Sequence, residues 1–185
     1  MGDDMIPIYL CEDNPLQLDL LKSMIEKYIF IQAYDMEIRQ AVHTPHELLN
    51  LLPDQPENAV YFLDIHLHSD MDGIELASAI RQKDPRAFII FTTTHSEMAM
   101  TTFRYQVEPL GFLIKDDPNY TLQILHCLQS VLEKSKIPAS PNGRLHFRMP
   151  DQDSYQSMKF FISKRPVRTA SPSIRRLRST SAAAP

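Results

Sequence analysis

Ala59-Val60-Tyr61-Phe62-Leu63-Asp64-Ile65 is an apolar run of strand length, unbroken except for a single carboxylate set near its end. A strand exposed on one face would alternate apolar and polar residues, whereas a continuous run fits a strand covered on both faces. Working outward, Ile6–Cys11, Ala87–Thr93 and Leu110–Lys115 repeat the pattern, each rich in Ile, Val, Phe or Tyr. A weaker, alternating stretch at Met36–Ala41 has the character of an edge strand.

Helix starts are written between these runs. Asn14-Pro15 places a cap residue before a proline at the first helical position, and Leu16, Leu20, Leu21, Met24, Ile25 and Tyr28 follow at helical spacing. Thr44-Pro45-His46-Glu47 and Asp72-Gly73-Ile74-Glu75 both have capping-box spacing. Asp117-Pro118 opens a run through Leu122, Ile124, Leu125, Leu128 and Leu132, and Ser96–Tyr105 is a further helical segment. Strand and helix thus alternate five times between residues 5 and 135. That order predicts a (βα)5, doubly wound α/β fold with a parallel sheet and right-handed crossovers. The functional crevice of such a sheet lies beyond the carboxyl ends of its strands.

The formal net charge of −4 conceals a division. Residues 1–140 hold 10 Lys/Arg against 21 Asp/Glu, a net of −11, while residues 141–185 hold 9 against 2, a net of +7. An acidic globular body with a basic tail is the expected organisation. Cys11 and Cys127 lie far apart in apolar contexts, as buried free thiols of a reducing compartment do. Met1-Gly2-Asp3-Asp4 is acidic where a secretion signal would be basic, and no stretch approaches the ~18 apolar residues of a membrane span. A cytoplasmic location without membrane contact is therefore expected.

The strand ends carry the chemistry. The first strand is followed by Glu12-Asp13, the third ends at Asp64, the fourth in Thr92-Thr93-Thr94 and the fifth at Lys115. Taken singly, each has an ordinary reading: a solvated turn, a helix cap, a β-branched strand residue, a surface lysine. Together they place three carboxylates, a hydroxyl and an ammonium on one rim. Three clustered carboxylates repel one another unless a cation sits among them, and oxygen-only ligands suit Mg²⁺. One carboxylate is then left as a nucleophile towards phosphorus, with Lys115 and Thr93 to hold the phosphoryl oxygens.

On these residues the chain resembles the receiver domains of response regulators (a flavodoxin-like fold) over residues 5–135. The resemblance rests on Glu12-Asp13, on Asp64 in Phe-Leu-Asp-Ile, on Asp72-Gly73, and on Thr93, Phe112 and Lys115. It implies that Asp64 is the phosphoacceptor, served by a sensor histidine kinase. It implies Asp13 as a direct Mg²⁺ ligand, Glu12 as one through water, and the His66 backbone carbonyl as a third. Thr93 would follow the phosphoryl group inward and Phe112 would be the rotating aromatic, a change that can promote a homodimer. Phe91-Thr92-Thr93-Thr94-His95-Ser96-Glu97 and Gly111-Phe112-Leu113-Ile114-Lys115-Asp116 are similar to receivers of the LytTR type, the peptide-quorum-sensing regulators of Gram-positive bacteria. Those regulate transcription through a β-rich DNA-binding output domain.

His66 and His95 stand two residues beyond Asp64 and Thr93, where similar receivers tune the lifetime of the phosphoryl group; the alternative is loop histidines without a role. His66, His68, Asp70 and Asp72 also alternate in the manner of a transition-metal cluster. Residues 136–144 have linker composition. The basic tail, 145–185, has room for one or two strands in Leu145–Phe161, and from Ser163 onward it is Arg, Ser, Ala and Pro without periodicity, a disordered composition. No match to the LytTR output domain is legible there, so a truncated or frame-shifted reading frame is the expected origin and DNA binding by this chain is in doubt. Arg165, Arg168, Arg175, Arg176 and Arg178 would otherwise contact nucleic acid non-specifically. Two rivals remain: a receiver-like scaffold that is never phosphorylated, and an aspartyl-phosphate phosphatase. The second wants Asp-x-Asp where this chain has His66, so no enzyme activity beyond the domain's own phosphorylation and dephosphorylation is expected.

Overall fold

In a computed structural model, residues 5–94 and 107–136 are described. The chain divides into units 1–145 and 146–185. The helical segment expected at 96–105, the linker from 137 and the tail lie outside the described residues. Five strands form one parallel sheet: β1 (Ile6–Cys11), β2 (Met36–Val42), β3 (Val60–Asp64), β4 (Phe88–Thr93) and β5 (Gly111–Ile114), in the order β2-β1-β3-β4-β5. The helices are α1 (Pro15–Gln32), α2 (Pro45–Leu51), α3 (Gly73–Lys83) and α4 (Tyr120–Ser135). The run that decided the fold is a central strand, and Met36–Val42 is an edge as its alternation implied.

The continuous apolar runs are explained by two separate cores. Tyr9, Cys11, Tyr61, Leu63, Ile89 and Phe91 face Leu48 of α2 and Ile74, Leu76, Ala77 and Ile80 of α3. The intervening residues Ile8, Leu10, Val60, Phe62, Phe88 and Ile90 face Leu18, Leu21 and Ile25 of α1 and Ile124, Leu128 and Val131 of α4. Successive side chains point to opposite faces of a strand, so both parities must be apolar when both faces are buried.

Capping matches the sequence at three helices. The Asn14 side chain accepts from the backbone N–H groups of Leu16 and Gln17. Asp72 and Glu75 complete a reciprocal capping box, whereas Thr44 forms only the half that accepts from the Glu47 N–H. Two expectations need correction. The helix assigned to Asp117-Pro118 begins at Tyr120, because Asp117 first closes a turn, accepting from the Tyr120 N–H through its carbonyl and from the Asn119 N–H through its carboxylate. On α1 the buried residues are Leu18, Leu21 and Ile25, while Leu16 and Leu20 are exposed. Apolar residues surround that helix, so periodicity alone could not select the face turned to the sheet.

Candidate functional site

The chain reverses direction across the sheet at β1: α1 leads to β2 on one side, and α2 leads to β3 on the other. A crevice opens at such a switch point, beyond the carboxyl ends of β1 and β3. Glu12 and Asp13 follow β1 and Asp64 ends β3. Their carboxylates offer oxygens that all lie within 4.8 Å of one another, forming the one acidic cluster of this kind among the described residues. Glu12 is 1% and Asp64 6% exposed, so two of the three charges are withdrawn from water.

Lys115 answers that burial. Its backbone N–H donates to the Thr93 carbonyl at 2.9 Å, continuing the β4–β5 register one residue past β5. Its Nζ then reaches Glu12 Oε2 at 2.6 Å and Asp64 Oδ2 at 2.9 Å. Burial pushes the Glu12 carboxyl above its ordinary range, the Lys115 hydrogen bond pulls it back, and the Asp64 charge adds to the upward push. The third carboxylate has a different partner. Asp13 Oδ2 accepts from the His68 N–H at 3.3 Å and meets His68 Nδ1. Burial acts upward on Asp13, but these bonds and the neighbouring imidazole outweigh it and hold the carboxyl below its usual range.

The other residues expected at the site have separate surroundings. Thr93 is fully buried at the end of β4. Phe112 packs a tilted ring against Phe91 with centroids 6.2 Å apart. The His66 N–H donates to Asp64 Oδ1 at 3.3 Å. His95 lies outside the described residues. The alternating His66, His68, Asp70 and Asp72 do not assemble into a metal cluster among the described residues: Asp72 caps α3, Asp70 pairs with His46, and His68 turns to Asp13. Alternation in a loop sends neighbours in different directions, and Asp72, Asp70 and His68 take separate partners.

Sequence reasoning did not anticipate several supporting contacts. His43 Nδ1 lies 3.1 Å from the Glu12 carbonyl, a contact legible only once β1 and β2 are known to run in parallel. Gly73 carries α3 over the Asp64 peptide: an added Cβ would stand 1.9 Å from the Asp64 carbonyl oxygen. Arg81 spans α3 and the approach to β5, donating to the carbonyls of Pro85, Ala87, Val107 and Glu108.

The donor set fits a hard divalent cation. It is all oxygen, and three carboxylates against one ammonium leave a deficit of positive charge that a dication would fill. The residues that could hold such an ion are Glu12, Asp13 and Asp64.

The family described as response regulator receiver domain matches residues 8–126. Accessory gene regulator protein A of Staphylococcus epidermidis is 40% identical over 131 residues, covering 70% of this chain and 55% of that protein. The protein of the same name from Staphylococcus aureus is 38% identical over 137 residues, covering 74% and 58%. The chain therefore spans a little over half the length of these curated relatives. Among solved structures, the response regulatory domain of protein mrkE from Klebsiella pneumoniae superposes with a TM-score of 0.57 at 23% identity, over 70% of this chain and 97% of that one. This last likeness concerns the fold. No helix among the described residues is long and apolar enough to cross a membrane.

Proposed function

The chain belongs to the response-regulator receiver family, and from that premise we propose that Asp64 is its phosphoacceptor, loaded by a sensor histidine kinase at a Mg²⁺ site built on Asp13, Asp64 and Glu12. One observation carries the reading: Lys115 Nζ bridges Glu12 and Asp64 at the carboxyl ends of β1, β3 and β5, with Asp13 in the same cluster.

The chemistry follows from charge. An Asp64 carboxylate oxygen attacks phosphorus in line, the P–N bond of a phosphohistidine breaks, and its electron pair returns to the imidazole. Bound Mg²⁺ supplies charge neutralisation on the phosphoryl oxygens. Lys115 exchanges its hold on Asp64 for one of those oxygens, and the His66 N–H keeps the acceptor carboxylate oriented. Positioning and electrostatics account for the rate, since no proton must be moved by the protein. The phosphoryl group adds roughly −1.5 to −2 charge at neutral pH. Thr93 turning towards that charge vacates space beside Phe91, into which Phe112 can rotate. A coupling of ~1–3 kcal/mol is typical for such devices and biases dimerisation or output without locking it.

The relatives that the chain matches are accessory gene regulator proteins, and the output assigned to this switch is accordingly a transcriptional or quorum-sensing one. His66 and His95 are assigned to phosphoryl lifetime. The test is intact mass after incubation with Mg²⁺ and acetyl phosphate, for wild type and Asp64→Asn. A single labile phosphoryl adduct that needs both Mg²⁺ and Asp64 is the expected result. A folded wild-type protein that takes none would put the unphosphorylated scaffold first.

A further inference from the structure

Two of the three clustered carboxylates share Lys115, and the third has an anchor of its own. We infer that His68 is the positioning residue of the metal site: it holds Asp13 in place for Mg²⁺. The inference rests on the reading of the acidic cluster as that site.

The local sequence explains how His68 reaches Asp13. In the loop after β3, Ile65 and Leu67 are buried while His66 and His68 are exposed. Leu67, 7% exposed and packed in the core below, pins the loop. Its carbonyl accepts from the Ser69 N–H at 2.7 Å, which tightens the turn around His68. The His68 N–H and ring thereby arrive together on one oxygen of a residue 55 positions earlier.

Packing does not account for the ring's position. The His68 side chain is 91% exposed, whereas that of Asp13 is 21% exposed. An exposed pair of this kind contributes little to stability. The same protein supplies a comparison, since His46 and Asp70 also pair at the surface, on a carboxylate outside the acidic cluster. What distinguishes His68 is its target. Asp13 takes no bond from Lys115, and an aspartate on a loop would otherwise spread over several rotamers. A ligand whose free oxygen is already aimed binds an ion without losing that freedom on binding. Partners that orient a ligating carboxylate typically account for ~10–100-fold in metal affinity.

The experiment is calorimetric titration of Mg²⁺ into the full chain, with thermal unfolding in EDTA alongside, for wild type, His68→Ala, His68→Asn and Asp13→Asn. His68→Ala is expected to weaken Mg²⁺ binding by about tenfold, the low end of that range because the backbone N–H remains. Its metal-free Tm should stay at the wild-type value, and His68→Asn, which keeps a side-chain donor, should recover most of the affinity. Unchanged Mg²⁺ binding in His68→Ala would overturn the inference. So would tighter binding, which would make the ring a competitor of the ion. A metal-free Tm falling in step with affinity would reduce His68 to a structural contact and also overturn it. Wild type and Asp13→Asn separate the two levels of the argument. If wild type takes no Mg²⁺, or Asp13→Asn binds it equally well, the reading of the site itself fails. If both behave as expected while His68→Ala matches wild type, only the role of His68 fails.

Discussion

Gly73→Ala tests whether the acceptor is positioned by the close approach of α3 to β3. The added Cβ would meet the Asp64 carbonyl oxygen at 1.9 Å, the Asp64 carbonyl carbon at 2.8 Å and Ile65 Cα at 2.9 Å. Non-bonded heavy atoms rest at about 3.5 Å, so the shortest approach is deficient by roughly 1.6 Å. All three neighbours are backbone, and no rotamer change relieves the overlap. Either α3 lifts away, breaking the 3.0 Å bond from the Gly73 N–H to the Ile65 carbonyl, or the end of β3 is pushed aside. Overpacking costs ~1–3 kcal/mol, and the overlap puts this site at the top of that range. Replacing glycine by alanine in a helix returns up to ~1 kcal/mol, leaving a net loss of about 2 kcal/mol. For a domain of this size that corresponds to a fall in Tm of about 8 °C. Function should suffer more than stability, because a misplacement of ~1 Å at a reacting group can cost ~100-fold in rate. Urea unfolding gives the first quantity, and the rate of phosphoryl transfer from acetyl phosphate gives the second. An alanine variant within ~0.5 kcal/mol of wild type and phosphorylated at the wild-type rate would refute the reasoning, since that is the ordinary scatter of a harmless surface change.

Lys115→Met should leave Glu12 and Asp64 as uncompensated buried charges, at a cost of about 3 kcal/mol in EDTA, part of which Mg²⁺ should restore; equal stability with and without Mg²⁺ would contradict this. Arg81→Lys replaces a fork that satisfies four carbonyls with a single ammonium, and should cost about 2 kcal/mol in urea unfolding. A loss under half that size would mean the Arg81 bonds carry little of the attachment of α3 to residues 107–108. Burial pushes the Cys127 thiol up to about 11, and Cys11 up to about 12. Both exceed the ~8.5 of an unfolded cysteine, so above that pH the folded chain keeps protons the unfolded chain has released, and stability falls as pH rises. The Cys127 contribution amounts to about 3 kcal/mol by pH 11, and an alkaline limb no shallower in Cys127→Ala than in wild type would count against it.

The architecture was legible because it is written locally and redundantly. Unbroken apolar strands, as in Val60–Asp64, encode burial on both faces, and cap residues such as Asn14 and Asp72 mark helix starts through bonds to their own next few residues. The acidic residues and Lys115 were legible as well, since the carboxyl ends of parallel strands must share one rim. Tertiary structure alone decided the pairings on that rim. Residues 12, 64 and 115 meet only because β1, β3, β4 and β5 are adjacent in space, and strand order is a property of packed layers rather than of any segment. The face of α1 turned inward and the reach of Arg81 across to residues 107–108 were settled in the same way. So was the meeting of His68 with Asp13. An exposed loop histidine has no periodicity to reveal its partner. Only the burial of Leu67 beside it, against a core built from the whole sheet, directs it there.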